Sequence, residues 1–353
     1  MKKSQSRKPK IAVGILNFLL WFAGTVILIL VAFFVLLYYI HKGPSPRFRD
    51  LFVSSAKESS VGGVLVDLYL TPDEVDKIMA KNSTKGFDEI TDTNLIQIAD
   101  TNADSSALGN ASSKASNPED PDGDGITVYD VHGPTYRGKM MVVFDPSRVK
   151  VATIDHYGIS SPGKTLPELV EKYDAVGGIN GGKYDDEAGI GTGGMPQGIV
   201  FSEGVLRMGD PGTTYEVYGF NNDNVLVVGR MTAGYAQSIG IRDAVSFGPA
   251  LIVNGKSAHM AGSGSGLNPR TAIGQRADGA VLLLVIEGRQ TTSLGASMAD
   301  LVTVMEDYGA VNAANLDGGM SSSMVYNGEE IVSSCTMRNR KIPTAFIVER
   351  RDN

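Results

Sequence analysis

Four short stretches of this chain hold residue types that can do chemistry together. "NLDGGMSSS" (Asn315–Ser323) sets one carboxylate, Asp317, before two glycines and three hydroxyls. It reads either as an Asp-Gly hairpin turn or as a backbone pocket with an acid at its lip. "NGGKYDD" (Asn180–Asp186) repeats the theme: Gly181 and Gly182 let the backbone approach a ligand and turn N–H groups toward an oxyanion, and Asp185 and Asp186 add carboxylates. "NPRTAIG" (Asn268–Gly274) fixes Arg270 between a proline and an apolar run, a placement suited to a bidentate grip on phosphate or carboxylate. "VIEGRQTTS" (Val285–Ser293) closes another apolar run with Glu287, Arg289 and Gln290. If 271–274 pairs with 281–286 across "RADGA", Arg270, Glu287 and Arg289 meet at one end of a sheet.

The elements that must position these groups are legible from periodicity. From Ile126 onward, short apolar or β-branched runs such as "KMMVVFDP", "NVLVVG", "AVLLLVIEG" and "TAFIVER" are bounded by Gly, Pro, Asn or Asp, which is a strand pattern. Two helices interrupt them. Thr165–Tyr173 opens with a Thr165/Glu168 capping box, and Ser297–Tyr308 carries Met298, Leu301, Val302, Met305 and Tyr308 on one face behind a Ser297 cap. "EKYDAVGGINGG" (Glu171–Gly182) and "EDYGAVNAANLDGG" (Glu306–Gly319) share Glu, Tyr, Ala, Val and a terminal Gly-Gly. Each therefore reads as helix, short buried strand and Gly-Gly corner, and a symmetric pair brings both corners to one sheet end.

Ile11 to Ile40 is thirty residues without a charge, longer than the ~20 that a membrane-spanning helix requires. A cleaved signal peptide has an apolar core of only about 7–15 residues and a small-residue cleavage site, whereas "HKGPSPRFRD" follows here. An uncleaved signal anchor is expected, with Trp21, Tyr38 and Tyr39 at its interfaces. Lys2, Lys3, Arg7, Lys8 and Lys10 precede it without an acid, which predicts a cytoplasmic N-terminus and an extracellular remainder. The expected organisation is a basic tail (1–10), the anchor (11–40), a stalk and flexible linker (41–125) and a catalytic domain (126–353). Thr71–Lys81 should form a Thr71-capped helix within the stalk. The fold class is α+β: a transmembrane helix followed by an extracellular mixed β-sheet domain with a few helices.

Composition excludes several functions. Residues beyond 42 carry 26 Lys/Arg against 39 acids, a net −13, so nucleic acid is repelled and an anionic substrate needs specific arginines. The single Cys335 rules out an intramolecular disulfide. "GIGTGG" (Gly189–Gly194) lacks the strand and helix of a dinucleotide site. The four histidines are scattered, which argues against serine–histidine chemistry. No cofactor is expected. A structural calcium ion at "DPDGDG" (Asp120–Gly125) is the single metal candidate, and Val131 stands where such loops place a bidentate Glu.

Taken in order, "NGGKYDD", "NPRTAIG", "EGRQTTSLG", "MADLVTVMEDYGA" and "NLDGGMSSSMV" resemble the phosphodiester glycosidase family over about residues 126–350. Two positions depart from the family pattern: Glu287 where Asp is usual, and Met320 where a third glycine is usual. The resemblance implies hydrolysis of the bond between a sugar anomeric carbon and a phosphodiester oxygen. It assigns catalysis to Asp317, Glu287, Arg270 and Arg289. It assigns substrate binding to Asn180, Gly181, Gly182, Asp185, Asp186, Thr271, Gln290, Asn315, Gly318, Gly319, Ser321 and Ser322. The implied partners are a glycosyl phosphodiester or cell-surface polysaccharide, in cell-wall or exopolysaccharide metabolism. A non-catalytic glycan-binding module is the alternative. Cleavage at the P–O bond ranks last, because it usually recruits paired metals.

Overall fold

A computed structural model describes residues 8–59, 62–98, 119–120, 123–185, 191–333 and 340–351. Helix α1 (Lys8–Lys42) is, among the described residues, the one helix long and apolar enough to cross a membrane. Three short helices follow. α2 (Pro46–Lys57) starts from a Ser45 cap, α3 (Gly62–Asp67) is six residues long, and α4 (Pro72–Lys81) begins at the expected Thr71, completed by Glu74 as a capping box. Val53, Val66, Leu70, Val75 and Ile78 give them a small core.

The stretch expected to be a stalk does not stand apart from the β-structure. Thr84 bridges Met260, and Gln97 donates its N–H to the Ala277 carbonyl. Thr91 exchanges hydrogen bonds with Val228. Val228 lies in Leu226–Thr232, the edge strand of its sheet. Its free backbone groups are what residues 90–92 cover, which is how proteins blunt exposed edges. Residues 99–118 and 121–122, most of the expected linker, lie outside the described residues.

Three large sheets build the rest. A seven-stranded sheet runs Ile126–His132, Arg137–Val143, Val281–Ile286, Arg270–Arg276, Ala310–Leu316, Ala250–Val253 and Lys256–Ser257 in spatial order. One five-stranded sheet orders Leu226–Thr232, Thr214–Asn221, Ile241–Val245, Val200–Ser202 and Val205–Met208. The other orders Glu329–Val332, Met324–Tyr326, Ala175–Asn180, Thr344–Glu349 and Val149–Thr153. All neighbours in these sheets pair antiparallel, so the expected mixed β-sheet resolves into antiparallel ladders. One core joins all three, with Ile273, Leu283 and Leu316 meeting Ile179, Phe346 and Phe220.

The continuous apolar run Val281–Ile286 follows from burial on both faces. Leu283 and Val285 enter the shared core, while Leu282, Leu284 and Ile286 lie on the side of α7. Helices α5 (Leu166–Lys172), α6 (Ala233–Ser238) and α7 (Met298–Asp307) cover the sheets. α7 buries Met298, Leu301, Val302, Val304 and Met305, and its Ser297 cap pairs reciprocally with Asp300. Ser297→Ala is expected to cost about 1 kcal/mol, lowering Tm by about 2–4 °C in a thermal melt, with substrate turnover unchanged.

Candidate active site

The register of the central strands assembles the site. Thr271 sits opposite Val285 on one side and Leu316 on the other, so the chain leaving Leu316 brings Asp317 beside Arg270. Strand Ala175–Asn180 ends at the same place, and Asn180, fully buried, ties the two corners together. Its Nδ2 donates to the Asp317 carbonyl at 2.6 Å, and its Oδ1 accepts from Thr271 Oγ1 at 2.7 Å and from the Ser323 N–H at 3.2 Å. The Asp317 N–H in turn donates to the Gly181 carbonyl at 3.2 Å. Both Gly-Gly corners thus lie at one end of the fold, as the paired helix–strand units predict.

A pocket of about 250 Å3 opens over this junction. Asp317, Gly318, Gly319, Met320 and Ser321 form one wall, and Arg270 and Arg289 join them. Glu58, Ser59, Lys183, Tyr184, Phe247, Asn268 and Arg340 complete the lining. Four cations (Lys183, Arg270, Arg289, Arg340) thus face two carboxylates (Glu58, Asp317) in a chain of net charge −7. The site is a local positive seat in an acidic protein, the condition for holding an anion.

Hydrogen bonds fix the charges. Glu58 accepts from Arg270 at 2.5 Å, from Asn268 Nδ2 at 2.9 Å and from the Gly266 N–H at 2.9 Å. Arg270, 7% exposed, also donates to Ser265 Oγ and to the carbonyls of Gly266 and Ala296. Asn268 Oδ1 accepts from Arg289 at 2.9 Å, so Glu58 steadies Arg270 directly and Arg289 through Asn268. Arg289 has φ +57°, a left-handed backbone that a non-glycine residue adopts only when its surroundings impose it. Arg340 Nε donates to the Tyr184 hydroxyl at 2.9 Å, and that hydroxyl also meets Ser321 Oγ at 3.0 Å. Burial pushes the Tyr184 hydroxyl above its ordinary range and the Asp317 charge adds to the shift. The phenol therefore stays protonated at neutral pH.

Of the residues singled out in the sequence, Arg270, Arg289, Asp317, Gly318, Gly319 and Ser321 line the pocket. Others expected to touch substrate are buried behind it. Thr271 holds Asn180, and Asn315, 1% exposed, donates to the Gly248 carbonyl. Ser322 is 1% exposed, and the Gly181 and Gly182 N–H groups, expected to face an oxyanion, donate to Thr344 instead. Glu287 is not among the lining residues. Its N–H donates to the Arg137 carbonyl, which extends the ladder with the neighbouring strand by one residue before Arg289 reaches the pocket. Gln290 turns back on Ser293, and Asp185 pairs with Met195 in a two-stranded ladder. Neither lines the pocket, and Asp186 lies outside the described residues. Asp120 and Asp124 of the calcium candidate accept backbone N–H groups of their own turn, and no metal-holding cluster of three His, Cys, Asp or Glu occurs among the described residues.

Sequence reasoning missed Glu58, Ser59, Phe247 and Arg340 altogether. Lys183, Tyr184 and Asn268 stood inside quoted motifs, and their alternation with glycine and proline was the available signal.

The fold and site define a sheet-rich α+β protein with an arginine-lined anion pocket at paired glycine corners. The phosphodiester glycosidase (NAGPA) family model matches residues 173–349, and the chain belongs to that family. The catalytic domain of zebrafish N-acetylglucosamine-1-phosphodiester alpha-N-acetylglucosaminidase, solved auto-inhibited by its pro-peptide, shares the fold. It superposes with a TM-score of 0.52 at 22% identity, over 64% of this chain and 82% of that one. The SPbeta prophage-derived uncharacterized protein YomE of Bacillus subtilis (strain 168) is 28% identical over 190 residues, which is 51% of this chain and 28% of YomE. The chain therefore spans about a quarter of that relative's length.

Proposed function

We propose that this protein is a membrane-anchored extracellular hydrolase that cleaves the glycosyl–phosphate bond of a sugar-1-phosphodiester, in cell-wall or exopolysaccharide metabolism. The observation that carries this reading is the lining: four cations around Asp317 in a pocket at the glycine corners. Arg289 and Arg340 would hold the phosphodiester, while Arg270, tied to Glu58 and the 265–266 backbone, shapes the wall. Asp317 would activate water at the anomeric carbon or stabilise the oxocarbenium-like transition state. A phosphate monoester has a second pKa near 6, so the leaving group needs little protonation and anion stabilisation dominates. The reading stands on the family together with this charge arrangement.

The direct experiment incubates the full chain in detergent or nanodiscs with UDP-N-acetylglucosamine and other nucleotide sugars. Released free sugar supports the glycosidase. Released sugar phosphate would show P–O cleavage instead, and binding without turnover would make the domain a glycan-binding module. Tyr184→Phe removes the hydroxyl that Arg340 donates to. A hydrogen bond to a charged group contributes about 1.5–3 kcal/mol, so KM is expected to rise about tenfold with kcat nearly unchanged in steady-state kinetics.

A further inference from the structure

The last turns of α1 are held by protein, unlike the rest of that helix. Leu37 and His41 are buried, whereas most of α1 before them is exposed. The His41 ring stacks on Tyr69 at 5.1 Å and meets Phe52 of α2 edge-on at 5.3 Å. Tyr69 donates its hydroxyl to the Phe34 carbonyl, two turns inside the apolar run, and Lys42 pairs with Glu74 of α4. The helices after the span therefore clasp its end with no spacer between them.

Around that clasp, large apolar side chains face outward. Phe48 is 55% exposed, Val64 64% and Leu68 58%. Phe48 lies four residues before Phe52, on the face of α2 that meets the span, and Leu68 adjoins Tyr69. Apolar residues ringing the end of a spanning helix suit the boundary between headgroups and acyl chains. The lipid surface that covers them is that of the bilayer α1 enters.

The same short helix reaches the pocket. Glu58 follows α2 directly, six residues beyond Phe52, which is about 9 Å of helical rise. Ser55 Oγ accepts the Leu267 N–H, and Glu58 accepts the Gly266 N–H, docking the end of α2 onto the loop that carries Asn268 and Arg270. The pocket, about 250 Å3, has room for a glycosyl phosphate.

Resting on the glycosidase reading above, we infer that the substrate is a membrane-borne glycosyl phosphodiester whose phosphate carries a lipid, presented from the leaflet against which α2 and α3 lie. In the reaction, the oxygen of water bonds to the anomeric carbon and the C1–O bond to phosphate breaks. The bonding pair leaves with the phosphate oxygen, so a lipid phosphate monoester stays in the bilayer and free sugar leaves. The water proton passes to Asp317 and then to solvent or to the phosphate.

The test uses the full chain in nanodiscs and compares polyprenyl-phosphate sugars with nucleotide diphosphates of the same sugars, following free sugar. The wild type is set beside Val64→Asp/Leu68→Asp, two exposed positions outside the pocket. Loss of the surface seat should lower turnover of the lipid substrates about tenfold, since seating raises the local concentration of pocket and substrate, and should leave the soluble ones unchanged. Cleavage of nucleotide sugars alone, or an equal effect of the double variant on both substrate types, would overturn the inference while leaving the glycosidase reading intact. If neither type releases sugar, the glycosidase reading falls and takes the inference with it. As a check independent of turnover, Val64→Trp in a Trp21→Phe background should be quenched by brominated lipid, and fluorescence as in water would also overturn the seat.

Discussion

Replacing Asp317 by Asn is expected to lower kcat/KM by about 10²–10⁴, the range for loss of a positioned acid or base, while the thermal midpoint stays within about 2 °C. The two halves of this expectation come from different atoms. The backbone of Asp317 is tied into the fold, since its N–H donates to Gly181 and its carbonyl accepts from Asn180. The side chain is half-buried at the pocket wall, and its carboxylate is the group that the proposed mechanism uses. The Asn substitution keeps shape and backbone bonds and removes the charge. Sugar release from a glycosyl phosphodiester, paired with a melting curve, checks both. Full activity in a normally melting variant would take Asp317 out of the mechanism.

Glu58→Ala should damage stability and activity together. Arg270 is nearly buried and its guanidinium faces the Glu58 carboxylate. Removing one partner of a buried pair costs about 3–5 kcal/mol, and the quarter exposure of Glu58 places the value near the lower end. A loss of about 3 kcal/mol lowers Tm by about 6–12 °C in a domain of this size. Asn268 loses its acceptor at the same time, so the Asn268 amide that receives Arg289 is less firmly oriented and KM should rise. Glu58→Gln keeps an acceptor for Asn268 and should recover part of the Tm. A variant whose melting and KM match the wild type would show that the end of α2 is not part of the site. The same reasoning predicts that a fragment starting at residue 126 loses the site's shape, because it lacks Glu58 and the strand cover at 90–92.

Much of the fold could be read from the chain because the signals are local. The Thr71, Thr165 and Ser297 caps and the apolar face of α7 depend on neighbours within a few residues, and all occur where periodicity places them. The pairing of 271–274 with 281–286 follows from a short turn between two apolar runs. The match between Glu171–Gly182 and Glu306–Gly319 foresaw that the two corners share one end of the fold. What failed was the assignment of exposure. A glycine corner shows that backbone groups can face a ligand, but Thr344, from a distant strand, accepts the N–H groups of Gly181 and Gly182. The resemblance assigns Asn180 to substrate binding, and in the structure it is the buried tie that holds the Asp317 carbonyl.

By itself, the sequence determined the long apolar N-terminal helix, the strand-and-helix pattern, Asp317 with its glycines, and Arg270 and Arg289 as the cations near it. Hydrophobic period, turn chemistry and motif order carry that information in contiguous residues. Only the tertiary structure decided which carboxylate stands with the arginines. Glu287 is not among the pocket's lining residues, and Glu58 arrives from the end of a helix 212 residues distant in sequence from Arg270. No local pattern encodes such a contact, because it depends on α2 docking onto the 265–268 loop, where Ser55 Oγ and a Glu58 carboxylate oxygen accept backbone N–H groups from a segment 212 and 208 residues away.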